Sequence, residues 1–208
     1  MEKEMKDNCV FCDQTKFSDS LIGENDDWYI VATLGQIVTG YTLIIPKKHI
    51  SCLGALDSRH QIKSITKLSR EVSRALTLEY PLQPVTMFEH GIVGQTIKHA
   101  HLHLLPTTVD CMTLQIRMDF PQAEIEEIQS FAQLRKLYRQ RQEPYLLWTI
   151  PNGKMMVCWN PPAPPMYLRL ITAKLIGRPE RGSWRDMDPA LDKYLRESTV
   201  ARLKPYFS

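Results

Sequence analysis

Three of the chain's six histidines stand two residues apart in the run His99-Ala100-His101-Leu102-His103-Leu104-Leu105. In an extended strand, residues at that spacing point to one side about 7 Å apart. The three imidazoles therefore share a surface, while Ala100, Leu102 and Leu104 pack the other side. A neutral imidazole offers a nitrogen lone pair near pH 7 without prior deprotonation, which suits attack on phosphorus. Its phosphoramidate adduct is labile enough for water to clear, so the reaction splits into two displacements. That route needs hydrogen-bond donors where charge builds on the phosphoryl oxygens. The preceding run Gly91-Ile92-Val93-Gly94-Gln95-Thr96 offers glycine-permitted backbone N–H groups, the Gln95 amide and the Thr96 hydroxyl.

A second group of reactive side chains lies near the start, in Cys9-Val10-Phe11-Cys12. The two-residue gap lets both thiolates reach one tetrahedral ion, although a structural zinc site needs four ligands. The same gap serves redox pairs at a strand–helix junction in a βαβ setting, a pattern the surrounding sequence does not follow, and two unrelated cysteines are the third reading. Five cysteines, an odd number at irregular spacing, fit a reducing compartment better than a disulfide framework. Cys52, Cys111 and Cys158 read as core thiols.

These groups need a frame to hold them. Trp28 to Thr33 and Tyr41 to Pro46 are β-branched, aromatic or aliphatic, with Thr39-Gly40 as the turn between two antiparallel strands. Ile62, Ile65, Leu68, Val72 and Leu76 recur at three and four, which predicts an amphipathic helix between Asp57 and Tyr80, capped by Asp57 or Ser58 and ended by Pro81 and Pro84. Val85 to Phe88 returns to strand, followed by the histidine strand. The order strand, strand, helix, strand, strand predicts an α+β domain on an antiparallel sheet.

Beyond about residue 115 the texture changes. A charged helix is expected over Glu124–Arg141. A strand pair should follow at Tyr145–Ile150 and Lys154–Trp159, turning at Asn152-Gly153, and then the prolines at 161, 162, 164 and 165 as a stiff connector. A helix from Pro165 to Ile176 would stop at Gly177. In 208 residues this organisation is one domain over residues 1–115 and an extension over 116–208 packed on it.

The net charge is +3, and residues 121–208 hold 14 basic against 9 acidic side chains. That surplus suits a polyanionic ligand but falls well short of a nucleic-acid binder's basic stripe. The opening residues are charged, and no apolar run approaches the roughly 20 residues of a membrane span. Neither a signal peptide nor a membrane partner is expected, and the expected compartment is cytoplasmic.

The run from His99 to Leu105, with Gly94-Gln95 ahead of it, resembles the His-x-His-x-His-x-x signature, x being apolar, of the histidine-triad (HIT) superfamily. The resemblance implies a HIT-like α+β fold with a five-stranded antiparallel sheet and helices packed on it, here with a C-terminal α/β extension. It implies His101 as the nucleophile that becomes nucleotidylated and His103 as the hydrogen-bond partner of the phosphate or bridging oxygen. Gly94, Gln95 and Thr96 would contact the phosphate. The family's reactions hydrolyse or transfer a nucleoside monophosphate from dinucleoside polyphosphates, phosphoramidates, adenylates or sugar nucleotides, so a nucleotide-type small molecule is the expected substrate.

The zinc-bearing branch draws ligands from a CxxC pair, a histidine after Pro-Lys-x and the first triad histidine. Here these would be Cys9, Cys12, His49 and His99, holding a structural zinc with no open position. A homodimer is common in the family.

Two positions depart from the pattern. Thr33 stands where many members carry a ribose-binding acid, and Glu89-His90-Gly91 replaces the usual Asn-x-Gly, so that Glu89 would orient a histidine or hold a substrate hydroxyl, or else be a solvated acid at a strand end. These departures favour one alternative, a non-catalytic nucleotide- or RNA-associated interaction module. A sugar-1-phosphate nucleotidylyltransferase is the other. Arg169, Arg178, Arg181 and Arg185 are read as surface or salt-bridged groups in preference to phosphate ligands.

Overall fold

Every residue of Thr42–Pro46 (β3), Leu102–Pro106 (β5) and Tyr145–Thr149 (β7) is buried, so these strands need cover on both faces. They receive it at the middle of one antiparallel sheet ordered β1-β2-β3-β5-β4-β7-β8-β6. Its other strands are Leu21–Glu24 (β1), Trp28–Ala32 (β2), Val85–Gly91 (β4), Glu124–Ile128 (β6) and Met155–Trp159 (β8). The computed structural model describes residues 9–81 and 83–208, and the charged opening residues 1–8 and Leu82 lie outside the described residues.

The α+β class stands, but the sheet has eight strands where five were expected. β7, β8 and β6 extend it past β4, whose Phe88–Gly91 pairs with Tyr145–Trp148. An unpaired β4 would leave a row of free backbone groups as an open edge. The extension closes it.

One face is covered by helix Arg59–Glu79 (α1), which turns Ile62, Ile65, Leu68, Val72 and Leu76 onto Ala100, Leu102 and Leu104. Ser58 is its cap, its hydroxyl accepting from Gln61 N–H at 3.0 Å. Helix Phe131–Arg141 (α3) adds Phe131 and Leu134 to the same face. The other face carries Tyr41, Phe88 and Leu105 and is covered by Met112–Asp119 (α2) and Tyr167–Leu175 (α4). A last helix, Pro189–Leu203 (α5), is held to the β2–β3 connection by Thr199, which receives Gly40 N–H at 2.8 Å, and by Asp192, which receives Gln36 N–H at 3.0 Å.

The expected helix over Glu124–Arg141 is corrected in its first third. Glu124–Ile128 is the edge strand β6, and the helix begins only after the Ser130 cap. The glutamates that suggested helix sit instead on a sheet edge, where charge discourages further pairing, and they are matched across it. Glu124 pairs with Arg141 at 2.5 Å, Glu127 with Lys154 at 2.9 Å, and Glu126 accepts from the Trp159 indole at 2.6 Å. Cys52 and Cys158 are buried as expected, but Cys111 is exposed. Among the described residues no helix is long and apolar enough to cross a membrane.

Candidate active site and metal centre

The short turn Val10–Cys12, the loop after β3 and the lead-in to β5 bring Cys9, Cys12, His49 and His99 together, with one ligand atom from each lying within 4.8 Å of the others. Cys9 Sγ lies 3.3 Å and Cys12 Sγ 3.6 Å from His99 Nδ1, and Cys12 Sγ lies 3.3 Å from His49 Nδ1. A tetrahedral ion bound at about 2.3 Å to sulfur and about 2.0 Å to nitrogen sets neighbouring sulfur and nitrogen ligands about 3.5 Å apart. The tautomer of His99 fits as well. Its Nε2 faces the Pro46 carbonyl at 2.9 Å, and a carbonyl only accepts, so Nε2 holds the proton and Nδ1 turns its lone pair to the thiols. The four residues can hold a metal ion.

The histidine run is only partly regular strand, since β5 starts at Leu102 and His99 to His101 form its extended lead-in. The alternation survives. His101 is 7% exposed, and its Nδ1 donates to the His99 carbonyl at 2.7 Å. Burial lowers its pKa to about 4, so the ring is neutral and its Nε2 holds the lone pair. Phe11, on the same turn as the two thiols, packs edge-on against this ring at 5.3 Å.

His103 lies beside it, with ring centroids 4.8 Å apart, and stacks on Phe88 at 4.4 Å. Its Nδ1 shares a 2.6 Å hydrogen bond with the Tyr41 hydroxyl. Among the described residues, its Nε2 is buried without a partner. Burial holds His103 well below the usual imidazole range and pushes the Tyr41 phenol up to about 12. His90 closes the group 5.9 Å from His103 and accepts the Leu168 N–H at 3.0 Å.

The glycine loop joins the site through His90. Gly94 has φ +75, and a Cβ there would meet His90 Cδ2 at 2.7 Å and the Pro164 carbonyl at 3.1 Å. Glycine is required for both reasons. Its carbonyl accepts Met166 N–H at 2.8 Å, so the proline-rich connector is tied to the loop. The preceding turn holds Ile92 at φ +81, an unusual conformation for a β-branched residue. Gln95 is buried and donates to the Ser51 carbonyl at 2.7 Å, whereas Thr96 is exposed.

Glu89 departs from two of its three expected roles, the histidine-orienting group and the solvated acid. Its neighbour His90 points to the triad face, so Glu89 points to the opposite one. It is fully buried there, accepting from Leu53 N–H at 2.7 Å and from the Tyr145 hydroxyl at 2.6 Å. Burial raises its pKa to about 7. It is neither solvated nor beside the histidines.

Arg169 also differs from expectation. It is 4% exposed, lies 5.1 Å over the Tyr41 ring and donates to the carbonyls of Gly35 at 2.7 Å and Gly182 at 3.3 Å. Among the described residues no carboxylate pairs with it. Arg178 and Arg181 reach the Ile37 carbonyl, both at 3.4 Å. Sequence reasoning missed Tyr41 and Phe88 and left His90 undecided. Tyr41 leads the buried strand run and could have been found by its pairing two residues before Leu43, which registers with His103. No local signal placed Arg169 at the site.

The HIT domain, as a family, matches residues 14–109. An uncharacterized HIT-like protein from Mycoplasma genitalium is 32% identical over 112 residues, covering 51% of this chain and 77% of that protein. Adenosine 5'-monophosphoramidase HINT3 from Danio rerio is 26% identical over 110 residues, covering 50% and 68%. Among solved structures, a HIT family protein from Bacillus anthracis is 28% identical and covers 49% of this chain and 74% of its own, with a TM-score of 0.45. With the alternating histidines and their neutral, partly unpartnered rings in place, the chain belongs to the HIT family.

Proposed function

We propose that the chain is a nucleotidyl hydrolase or transferase in which His101 takes up the nucleoside monophosphate of a nucleotide adduct. One observation carries this: the His99 carbonyl occupies His101 Nδ1, which leaves Nε2 with the lone pair in a ring held neutral. In the first displacement Nε2 forms a bond to the α-phosphorus and the bond to the leaving group breaks, its electron pair departing with that group. In the second, water or an acceptor hydroxyl attacks, the N–P bond breaks and His101 recovers its lone pair. His103 is the neighbouring group for a phosphoryl or bridging oxygen. The Gly94–Thr96 loop is the phosphate-contacting segment, and Glu89 is a structural acid. Residues 1–115 form the HIT domain and 116–208 an extension packed on it.

Zinc is the ion that suits two thiolates and two imidazoles. Held by Cys9, Cys12, His49 and His99, it would supply a fixed anchor, with no open position for substrate. Through the His99 carbonyl the anchor would orient His101, and through the Val10–Cys12 turn it would seat Phe11.

The low exposure of His101 and His103 favours a second reading, a module that binds a nucleotide or RNA without cleaving it. The two are separated by incubating the protein with adenosine phosphoramidate and with dinucleoside polyphosphates. The HINT3 relative's name makes the phosphoramidate the first choice. Intact mass should rise by one nucleoside monophosphate in the wild type and not in His101→Ala. Binding with neither adduct nor turnover would favour the module. Faster clearance of the adduct by a sugar phosphate would mark the transferase.

A further inference from the structure

The C-terminal extension reaches the triad face through His90. Leu168 is the second residue of α4, and a backbone N–H in the first turn of a helix has no acceptor within the helix. It donates instead to His90 Nε2 at 3.0 Å. A backbone N–H only donates, so Nε2 accepts with its lone pair. Burial lowers the His90 pKa to about 3, so the ring is neutral and carries one proton. That proton sits on Nδ1.

The other contacts of the ring fix where Nδ1 lies. A Cβ on Gly94 would meet Cδ2 at 2.7 Å and Nε2 at 3.4 Å, so the glycine loop and α4 both lie along the Cδ2–Nε2 bond. Nδ1 is the ring atom opposite that bond and faces away from both. The residue is 2% exposed, and its ring stands 5.9 Å from that of His103 at an angle of 80°. Phe88 registers with His103, and continuing that register by two residues sets His90 across from His101. Nδ1 has no hydrogen-bond partner among the described residues. We infer that His90 is a further substrate-contacting residue: Leu168 N–H of the extension fixes its tautomer, and its Nδ1–H donates to a phosphate oxygen of the nucleotide at His101. This rests on the proposed function and adds to it a donor oriented from outside the segment that matches the family.

Asn and Gln side chains each reproduce one of the two ring nitrogens, so the roles separate. In His90→Gln the amide oxygen reaches the Nε2 position and still accepts Leu168 N–H, but the Nδ1 donor is gone. In His90→Asn the amide N–H takes the Nδ1 position, and the acceptor for α4 is gone. Affinity of the full-length chain for adenosine 5'-monophosphate, read by calorimetry, should fall about tenfold or more in His90→Gln, the loss of one hydrogen bond to a charged group. It should stay near the wild-type value in His90→Asn. Melting temperature should follow the other order, unchanged in His90→Gln and about 2–4 °C lower in His90→Asn, which lacks a helix-terminal acceptor. Wild-type affinity in His90→Gln would make His90 a structural cap only and overturn the inference, as would equal losses of affinity in both variants. In ¹⁵N spectra of the nucleotide-free wild type, His90 should show a protonated Nδ1 and a bare Nε2, and the reverse tautomer overturns the inference as well. On addition of adenosine 5'-monophosphate the Nδ1–H resonance should shift, and an unmoved resonance sinks the inference even if neither variant folds. None of these measurements needs turnover, so a missing His101 adduct leaves them standing.

Discussion

Two adjacent residues of β4, Glu89 and His90, send their side chains to opposite faces of the sheet, and the groups immediately around them differ in how completely their polar atoms are satisfied. On the α1 face, both Glu89 oxygens are filled by Leu53 N–H and the Tyr145 hydroxyl, which in turn accepts Gly54 N–H at 2.9 Å. On the α4 face, His101 Nε2 keeps a lone pair and His103 Nε2 lacks a partner among the described residues. Burying a polar atom without a partner costs stability. A fold that bears this cost in one place and avoids it a few ångströms away is reserving the first place for a ligand. On the proposed function, the Glu89 side of β4 is structure and the His101–His103 side is chemistry.

The sharpest way to break this contrast is to compare variants across the sheet. His101→Ala should lower turnover by about a thousandfold or more while leaving the melting temperature nearly unchanged. Glu89→Gln should do the opposite, changing activity by only a few fold and lowering stability. Equal activity losses would erase the distinction between the faces. Next in size is the metal cluster. Cys9→Ala with Cys12→Ala should remove bound zinc and lower the melting temperature together. It should also reduce activity by about ten- to a hundredfold through the loss of His99 as an anchor. Stoichiometric zinc in that variant would dispose of the ligand set.

The acid on the saturated face adds a pH signature. Glu89 titrates near 4.5 when unfolded and about 7 when folded, so between those values the native state holds a proton that the unfolded chain has released. Its contribution is therefore complete below about pH 4.5 and is lost as pH rises through about 7, on the order of 3 kcal/mol in all. Nearby Cys52 and Tyr138 are raised to about 11 and 12 and stay neutral across this window, as does Tyr145, which is held above its ordinary value. The buried histidines, all lowered from 6.5, impose the opposite slope below that pH in both proteins, so the signature is a difference: in denaturant titrations from pH 4 to 8, the stability of the wild type relative to Glu89→Gln should decline as pH rises. A smaller effect is expected at the loop. Gly94→Ala strains a positive φ and presses on His90, and should cost about 2 kcal/mol of stability.

The parts of this site that sequence could show are those set by short spacing. Alternation put three imidazoles on one side, and the helix period of Ile62 to Leu76 identified the cover for the other. Ser58 and Asn152-Gly153 were legible from turn and cap chemistry. The glutamates of β6 misled because their helix propensity is local, whereas their strand state depends on Arg141, Lys154 and Trp159 across the edge. α5 had a visible start in Asp188 and Pro189, since Asp188 accepts from Leu191 N–H at 2.8 Å, but its apolar face is weak and gave no period. Arg169 was the hardest to place. Its partners Gly35 and Tyr41 lie more than a hundred residues away in the sequence, and an arginine in a basic extension looks like surface until the fold brings it under cover.

Whether His101 bonds covalently to phosphorus can be read from stereochemistry. A nucleotide adduct made chiral at its α-phosphorus with sulfur and an oxygen isotope should be converted with retention of configuration, because two in-line displacements each invert it. Net inversion would mean that water attacks directly, and His101 would then not be the nucleophile.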